Sequence, residues 1–419
     1  MTEAERETAD QEPSRAYRYA RGPALHGHHR VSYVELFFDL VFVYAITQLS
    51  HHLIAHPSLL GLFETAMLTA AVWWVWIYTS WATNWADPDK MPVRIMLFCC
   101  MAAGLVMSIS IPGAFGERAM TFAFGFVAMH LGRSYFMYSK VMGELSPVHK
   151  QNFLLLSLWL TGTAVFWIGG ALVGGTAQIV LWSIAVVIDY AGPAMRFAIP
   201  GLGRSDIRAW TVEPGHFAER CALFIIICLG ESILVTGATF EKLPSWSFET
   251  VMAFIGAFTA TVGMWAIYFN IGVERGAHAM RLSDETGLVA RAYTYVHLLI
   301  VGGIIVTAVG DEFALAHATG HADAKTIAAL IGGPFLYVAG CAIFKRATAG
   351  WYPLSHTAGL GMLALLGYVG TLVEPWVLTL LTSAVLIIIA IWEQISLGPD
   401  AVHKIGHPRE RAKSEELQP

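Results

Sequence analysis

The sequence predicts an all-α integral membrane protein of about twelve transmembrane helices, arranged as two parallel six-helix repeats with both termini cytoplasmic. Composition, the number of long apolar stretches and the one-sided placement of Lys and Arg lead there. Hydrophobic residues make up 56% of the chain and charged residues 14%, with a mean hydropathy of +0.56. A soluble domain carries roughly 25% charged residues, so the chain falls in the membrane class. The net charge of −5 comes with no basic patch, which argues against a nucleic-acid partner. Cys99, Cys100, Cys221, Cys228 and Cys341 all lie in apolar stretches without a CxxC spacing, so neither disulfides nor a thiolate metal site is expected.

A helix needs about 20 mostly apolar residues to cross a hydrocarbon core of roughly 30 Å. Six stretches meet this in the first half, at 32–54, 62–84, 92–111, 118–138, 152–173 and 178–197. Six more follow a polar connector, at 217–240, 248–271, 290–309, 326–344, 355–372 and 376–394, with the shortest connection at Glu374-Pro375. The polar, Arg-bearing start lacks a small-residue cleavage site, so the first span reads as a retained signal anchor. Assigned to alternate sides, only Arg118, Lys242 and Lys325 fall on the outer face; Arg133 lies within a span, and the other cations fall on the inner face. That asymmetry places both ends in the cytoplasm. The chain divides into a tail (1–31), a first repeat (32–197), a connector (198–216), a second repeat (217–394) and a tail (395–419).

The duplication is read from three correspondences. Each half opens with a helix holding deep carboxylates, Glu35 and Asp39 in one and Glu231 in the other. Each continues into a Trp-bearing helix, Trp76-Ile77-Tyr78 and Trp265-Ala266-Ile267-Tyr268, and then a third helix opened by a base, Arg94 or Arg291. An even number of spans per unit makes the halves parallel, an arrangement that in transporters puts the site between the halves near the midplane.

Glu35-Leu36-Phe37-Phe38-Asp39-Leu40-Val41-Phe42-Val43-Tyr44-Ala45-Ile46-Thr47-Gln48-Leu49-Ser50 resembles the opening signature of the bacterial low temperature requirement protein A (LtrA) family. Glu219-Arg220-Cys221-Ala222-Leu223-Phe224, continuing to Leu229-Gly230-Glu231-Ser232-Ile233-Leu234, looks like that family's second signature. The resemblance covers about 31–394 and implies a polytopic protein of the bacterial cytoplasmic membrane, named for a growth phenotype and with no settled biochemical activity. Phe37 to Thr47 is also similar to the first-helix motif of the endolysosomal potassium-channel family, but Phe38 stands in place of a small serine and the second half has no Phe-x-Asp.

Charge inside a span is costly, about 2.5–3.5 kcal/mol for an Asp on insertion scales, so each such residue is a candidate site. Glu35 and Asp39 lie at the N-terminal end of the first span, where the helix dipole favours acids, and a structural partner such as Arg30 or a neighbouring helix end competes with a functional role. Glu231, beside Ser232, and Asp189 fall near mid-membrane and are the stronger functional candidates, against interhelical hydrogen-bonding. Arg133, with His130 one turn before it, calls for a partner among Asp39, Glu231 and Asp189. His297 reads first as a packing residue and second as a proton relay. Outer histidines (His52 with His56, His317 with His321) have helical spacing suited to a metal, but no motif supports one, and no metal or other cofactor is expected.

Trp81, Trp85, Trp246, Trp351 and Trp376 read as interfacial anchors, and Trp73, Trp74, Trp76 and Trp265 as packing residues. Gly170 and Gly174 have a small-xxx-small spacing suited to close helix packing.

Three functions compete: a secondary transporter or channel for a cation or a proton-coupled solute, a non-catalytic membrane factor binding lipid or protein, and a lipid-modifying enzyme. No GxSxG or HExxH supports the last, so the expectation is that the chain is not an enzyme. The expected partners are the bilayer, a small cation or proton-coupled solute and, compatibly, a second copy of the chain in a homo-oligomer.

Overall fold

The computed structural model describes residues 17–22, 30–210, 212–270 and 286–397, with only the backbone described for 286–291 and 349. Most of both predicted tails, the stretch just after the eighth apolar segment and the Arg291 side chain therefore lie outside the described residues. The described residues form no strand, only two isolated bridges, Ala20 with Ala86 and Ile199 with Gly203. Twelve long helices carry the fold: α1 (Tyr33–Ala55), α2 (Leu59–Trp85), α3 (Met91–Ser110), α4 (Ala119–Phe136), α5 (Pro147–Val173), α6 (Gly175–Ala191), α7 (Pro214–Glu241), α8 (Phe248–Phe269), α9 (Thr286–Ala316), α10 (Ala324–Ala349), α11 (Leu354–Val369) and α12 (Pro375–Leu397).

Among the described residues, nine helices are long and apolar enough to cross a membrane. α6 and α11 are apolar but shorter, and α4 has 18 residues including Arg133. Each long helix coincides with one of the apolar stretches, with ends moved by local chemistry. Ser32 caps α1 in a capping box with Glu35, which makes Glu35 a helix-start residue before it is anything else. Glu213 caps α7 by accepting from Gly215 N and His216 N, so that helix begins before the apolar run does. α6 stops at Ala191, short of 197, and the chain then turns through Arg196 and Phe197, both with positive φ.

Neighbour order is the same in the two halves. In each, the first helix packs on the second and third, the third on the fourth, the fourth on the fifth, the fifth on the sixth, and the sixth on the second. The halves meet where α1 and α2 pack against α7 and α9. α9 and α10 approach most closely through glycine: a Cβ on Gly333 would lie 2.4 Å from Thr307 N, and one on Gly303 would lie 2.5 Å from Tyr337 N. Small residues at a membrane helix crossing bring backbones into dispersion contact, which substitutes for the missing hydrophobic drive between helices.

The glycine expectation holds at one of its two positions. Gly170 does meet Trp182, whose Cδ1 would be 2.6 Å from an added Cβ, but Gly174 ends α5 at φ +72 with open space around it. Gly230, next to Glu231, has open space as well. Trp73, Trp74 and Trp76 are buried at the centre, whereas Trp265 is 46% exposed and faces outward instead of packing between helices. Trp85 is buried, packed with Trp81, Trp210 and Phe153 at the C-terminal end of α2.

Candidate functional site

The α1–α7 seam carries the densest cluster of buried charge. Residues 35, 39, 42 and 46 form one face of α1, and residues 216, 220, 224 and 231 one face of α7. Where these faces meet, Arg220 bridges two acids: Nη2 donates to Asp39 Oδ1 at 2.7 Å, and Nη1 lies 3.3 Å from Glu35 Oε1. Trp76 Nε1 from α2 donates to the same Asp39 oxygen at 2.8 Å. The guanidinium also lies over the rings of Phe38 and Trp76, 5.9 and 5.7 Å from their centroids. Arg21 enters from the N-terminal segment, with Nη2 3.2 Å from Glu35 Oε2, and is fixed by Arg21 N donating to Trp85 O and Arg21 Nε to Ala86 O.

The hydrogen-bond network assigns the His216 tautomer. Asn84 Oδ1 accepts from Glu213 N at 2.6 Å, which turns Asn84 Nδ2 toward His216 Nδ1 at 3.3 Å. Nδ1 therefore accepts and Nε2 carries the hydrogen, which it donates to Glu35 Oε1 at 2.9 Å. With His216 neutral, the cluster sets Arg21 and Arg220 against Glu35 and Asp39, a balance of charge in which all four side chains are largely or wholly buried. Buried charges persist when they are paired, and each of these has an ion-pair partner, although Asp39 Oδ2 and Arg220 Nε and Nη1 accept or donate no hydrogen bond. Glu35 and Asp39 thus have partners from a second helix, and Arg30 is not one of those that bond to them.

Farther along the same seam lies a different arrangement. Thr47 Oγ1 of α1 donates to Glu231 Oε2 at 2.5 Å, while the buried Glu231 Oε1 has no partner. No cationic side chain among the described residues lies within ion-pair distance of Glu231. Its neighbour Ser232 accepts from Thr261 Oγ1 of α8 at 3.3 Å. Glu231 sits roughly 26 Å from the Pro214 end of α7, at about 1.5 Å per residue, slightly past the middle of this 28-residue helix.

Arg133 is not paired with Asp39, Glu231 or Asp189. Its partners are Val75 O at 3.0 Å, Thr79 Oγ1 at 2.9 Å and His130 Nδ1 at 3.0 Å, with the Tyr78 ring centroid 5.5 Å from Cζ. α4 packs on α2 here and the helices bearing the three acids present them elsewhere, so carbonyl, hydroxyl and imidazole acceptors and a ring face stand in for a carboxylate. Asp189 lies near the C-terminal end of α6, yet its neighbour Tyr190 reaches Ala70 O near the middle of α2. Trp167 Nε1 donates to Asp189 Oδ2 at 3.1 Å, and Oδ1 is buried without a partner. His297 accepts or donates at Nε2 with Tyr268 Oη at 2.8 Å and stacks on Tyr293, as a packing residue would.

The sequence residues are therefore not gathered on one cavity. Glu35 and Asp39 are locked at one end of the α1–α7 seam, Glu231 and Ser232 lie midway along it, Arg133, His130 and Asp189 lie among α2, α4, α5 and α6, and His297 sits under the central tryptophans. At the C-terminal end of α1, His52 lies 3.4 Å from Glu64 and its ring 4.7 Å from that of His56. Among the described residues no three His, Cys, Asp or Glu side chains are grouped to hold a metal.

Arg220, His216 and Arg21 were missed as site residues, as were Lys345, Glu393 and His356, which form a second buried ionic group at the ends of α10, α11 and α12. A usable signal existed for the first group: acids spaced i,i+4 in one signature and His and Arg spaced i,i+4 in the other are complementary stripes.

These features define a polytopic α-helical membrane protein with its buried charge concentrated on one helix seam. The chain belongs to the bacterial low temperature requirement A protein (LtrA) family, whose model matches residues 30–391. It is 38% identical over 371 residues to an uncharacterized protein of Rhizobium meliloti (strain 1021), a match that spans 88% of this chain and 90% of that one. No solved structure matches the chain.

Proposed function

We propose that the protein is a secondary transporter or channel that moves a small cation, or couples to protons, through Glu231 at the α1–α7 seam. The observation that carries this reading is the state of Glu231: 1% exposed, held by Thr47 through one oxygen, its other oxygen unpaired and no cation beside it. A carboxylate in hydrocarbon is tolerable only when neutralised, and here a proton or a visiting cation is what the surroundings leave to do it. Glu35 and Asp39 are already neutralised by Arg21 and Arg220, so they anchor the seam instead of serving as the exchangeable site.

In this reading all twelve helices cross the bacterial cytoplasmic membrane with both ends inside, and the chain has no catalytic role. The matching neighbour order of α1–α6 and α7–α12 supports two parallel repeats, and Glu231 lies where transporters of that design bind their substrates, between the repeats near the midplane. The mismatch of buried Trp76 with exposed Trp265 limits the repeat to helix arrangement. Dispersal of Asp189 and Arg133 away from the seam favours a second reading, a non-catalytic membrane factor.

Flux of K⁺, Na⁺ and H⁺ into liposomes holding the purified chain separates the two. Flux abolished by Glu231→Gln in a folded protein is the expected result; absence of flux under every gradient would overturn the transport reading and leave the second.

A further inference from the structure

The fourth and sixth helices of each half carry a base and an acid. In the second half they are joined: Lys345 Nζ of α10 donates to Glu393 Oε1 and Oε2 of α12 at 2.7 and 2.6 Å. Lys345 also reaches Ile267 O of α8 at 2.9 Å and His356 Nε2 at 3.2 Å. In the first half Arg133 of α4 and Asp189 of α6 stand on the corresponding helices. Arg133 likewise reaches a carbonyl of its half's second helix, Val75 O, and a histidine, His130, but it does not reach its acid.

Tyr78 links the surroundings of the unjoined pair: Arg133 Cζ lies 5.5 Å from its ring centroid, and Trp74 packs on it at 5.0 Å and stacks at 3.9 Å on Tyr190, the neighbour of Asp189. On Tyr78, on His130, on Ser134 beside Arg133 and on Asp189, four buried polar atoms have no partner: Tyr78 Oη, His130 Nε2, Ser134 Oγ and Asp189 Oδ1. His130 Nδ1 accepts from Arg133, so Nε2 carries the hydrogen and faces this region as a donor. Asp189 accepts from Trp167 of α5, and its neighbour Tyr190 donates to Ala70 O of α2 while the Tyr190 carbonyl accepts from Tyr295 of α9. None of these neighbouring side chains is charged; Arg133 is held by its own acceptors, Val75 O, Thr79 and a neutral His130. An ionised Asp189 would be buried without a bonded cation and would face the negative end of the α6 dipole.

We infer that Asp189 is a proton-binding site, and that Arg133 displaces its proton by moving past Tyr78 to form the pair that Lys345 and Glu393 already form. The inference rests on the two-half reading above and extends it to a second, off-seam site. In the open state the carboxyl O–H of Asp189 is intact and Arg133 is held by Val75 O, Thr79 and His130. On closing, that O–H bond breaks, the proton passes to water, and the carboxylate takes the guanidinium as counter-ion. Opening reverses each step, with one proton gained and no redox change.

The test uses the full chain in liposomes and reads the infrared stretch of protonated carboxyl groups at neutral pH. A component of that band lost in Asp189→Asn, shifted but kept in Asp189→Glu and unchanged in Glu393→Gln is the expected result. Stability gives a second readout: Asp189→Asn keeps the folded fraction, because Asn resembles the neutral acid, whereas Glu393→Gln lowers it by stranding Lys345. A band identical in Asp189→Asn and the parent overturns the inference, as does an Asp189→Asn that unfolds as readily as Glu393→Gln. Neither readout needs transport: flux lost in Glu231→Gln with no Asp189 band sinks this site alone, and an Asp189 band without any flux supports it while sinking the transport reading.

Discussion

Replacing Arg220 by Gln should be the most damaging single change at the α1–α7 seam. The guanidinium is fully buried and supplies the 2.7 Å bond to Asp39 and the 3.3 Å contact to Glu35. Without it Asp39 keeps only the Trp76 N–H, its Oδ2 already having no partner, and the balance of two cations and two acids becomes one against two. Breaking a buried pair by removing one member costs about 3–5 kcal/mol, because the other charge is left uncompensated. At about 1.4 kcal/mol per decade, that lowers the folded-to-unfolded ratio by more than a hundredfold. The assay is unfolding in mixed micelles of increasing SDS, followed by tryptophan fluorescence, since Trp76 and Trp73 sit against the cluster and report its collapse. Adding Asp39→Asn removes the stranded charge, so the double variant should be more stable than the sum of its singles, with a coupling of about 0.5–3 kcal/mol. An Arg220→Gln protein as stable as the parent, or a strictly additive double variant, would refute the balanced-cluster account.

Other perturbations separate the remaining roles. Glu231→Gln should leave SDS stability within about 1 kcal/mol, because Thr47 can still donate to the amide oxygen, while it removes flux; a large stability loss with flux intact would make Glu231 structural. Gly333→Val should cost about 1–3 kcal/mol by overpacking against the Thr307 backbone, whereas Gly230→Ala, with open space around it, should not destabilise the protein in the same titration. Outside the membrane, Gly320 N and Trp376 Nε1 donate to Glu374 and hold its carboxyl below the usual range. A lowered folded value means the loop contact is complete above the ordinary carboxylate range and is lost as pH falls through that lowered value. Exchange of the Gly320 amide should rise in that acid window in the parent and lose its pH step in Glu374→Gln; a step that survives the substitution would assign it elsewhere.

What was legible in the sequence was what is local to it. Hydropathy is a property of a segment, so every long helix appeared as an apolar stretch, and the Glu374-Pro375 break was located where α12 begins. Helix ends were less legible, because an apolar run ends where lipid does while a helix ends where a cap or a turn stops it. Glu213 starts α7 ahead of the apolar run, and α10 continues past Phe344 to Ala349. Those few residues decide the chemistry: by sequence Arg220, three residues into the 217–240 stretch, and Lys345, just past the 326–344 stretch, both fall on the inner face, and both are buried ion-pair partners.

Pairings between helices are the least legible, since acids and bases read along a line can be matched in many ways. Arg133 was assigned a carboxylate because an unpaired cation in hydrocarbon is costly, and that premise holds. A helix neighbour with a free carbonyl, a hydroxyl, an imidazole and an aromatic face met the cost by another route. The lesson bears on the acids as well. Glu35 and Asp39 carry the most conspicuous motif in the chain and are the most completely neutralised, by residues on a helix that begins at Pro214 and by Arg21 from the N-terminal segment. Glu231 and Asp189 carry no conspicuous spacing; each keeps one buried oxygen unpaired, as Asp39 does, but unlike Asp39 neither has a bonded cation among the described residues. In hydrocarbon the conspicuous charge is the one the fold has had to pair, and exchangeable chemistry is to be sought where an acid has an oxygen without a partner and no cation bonded to it.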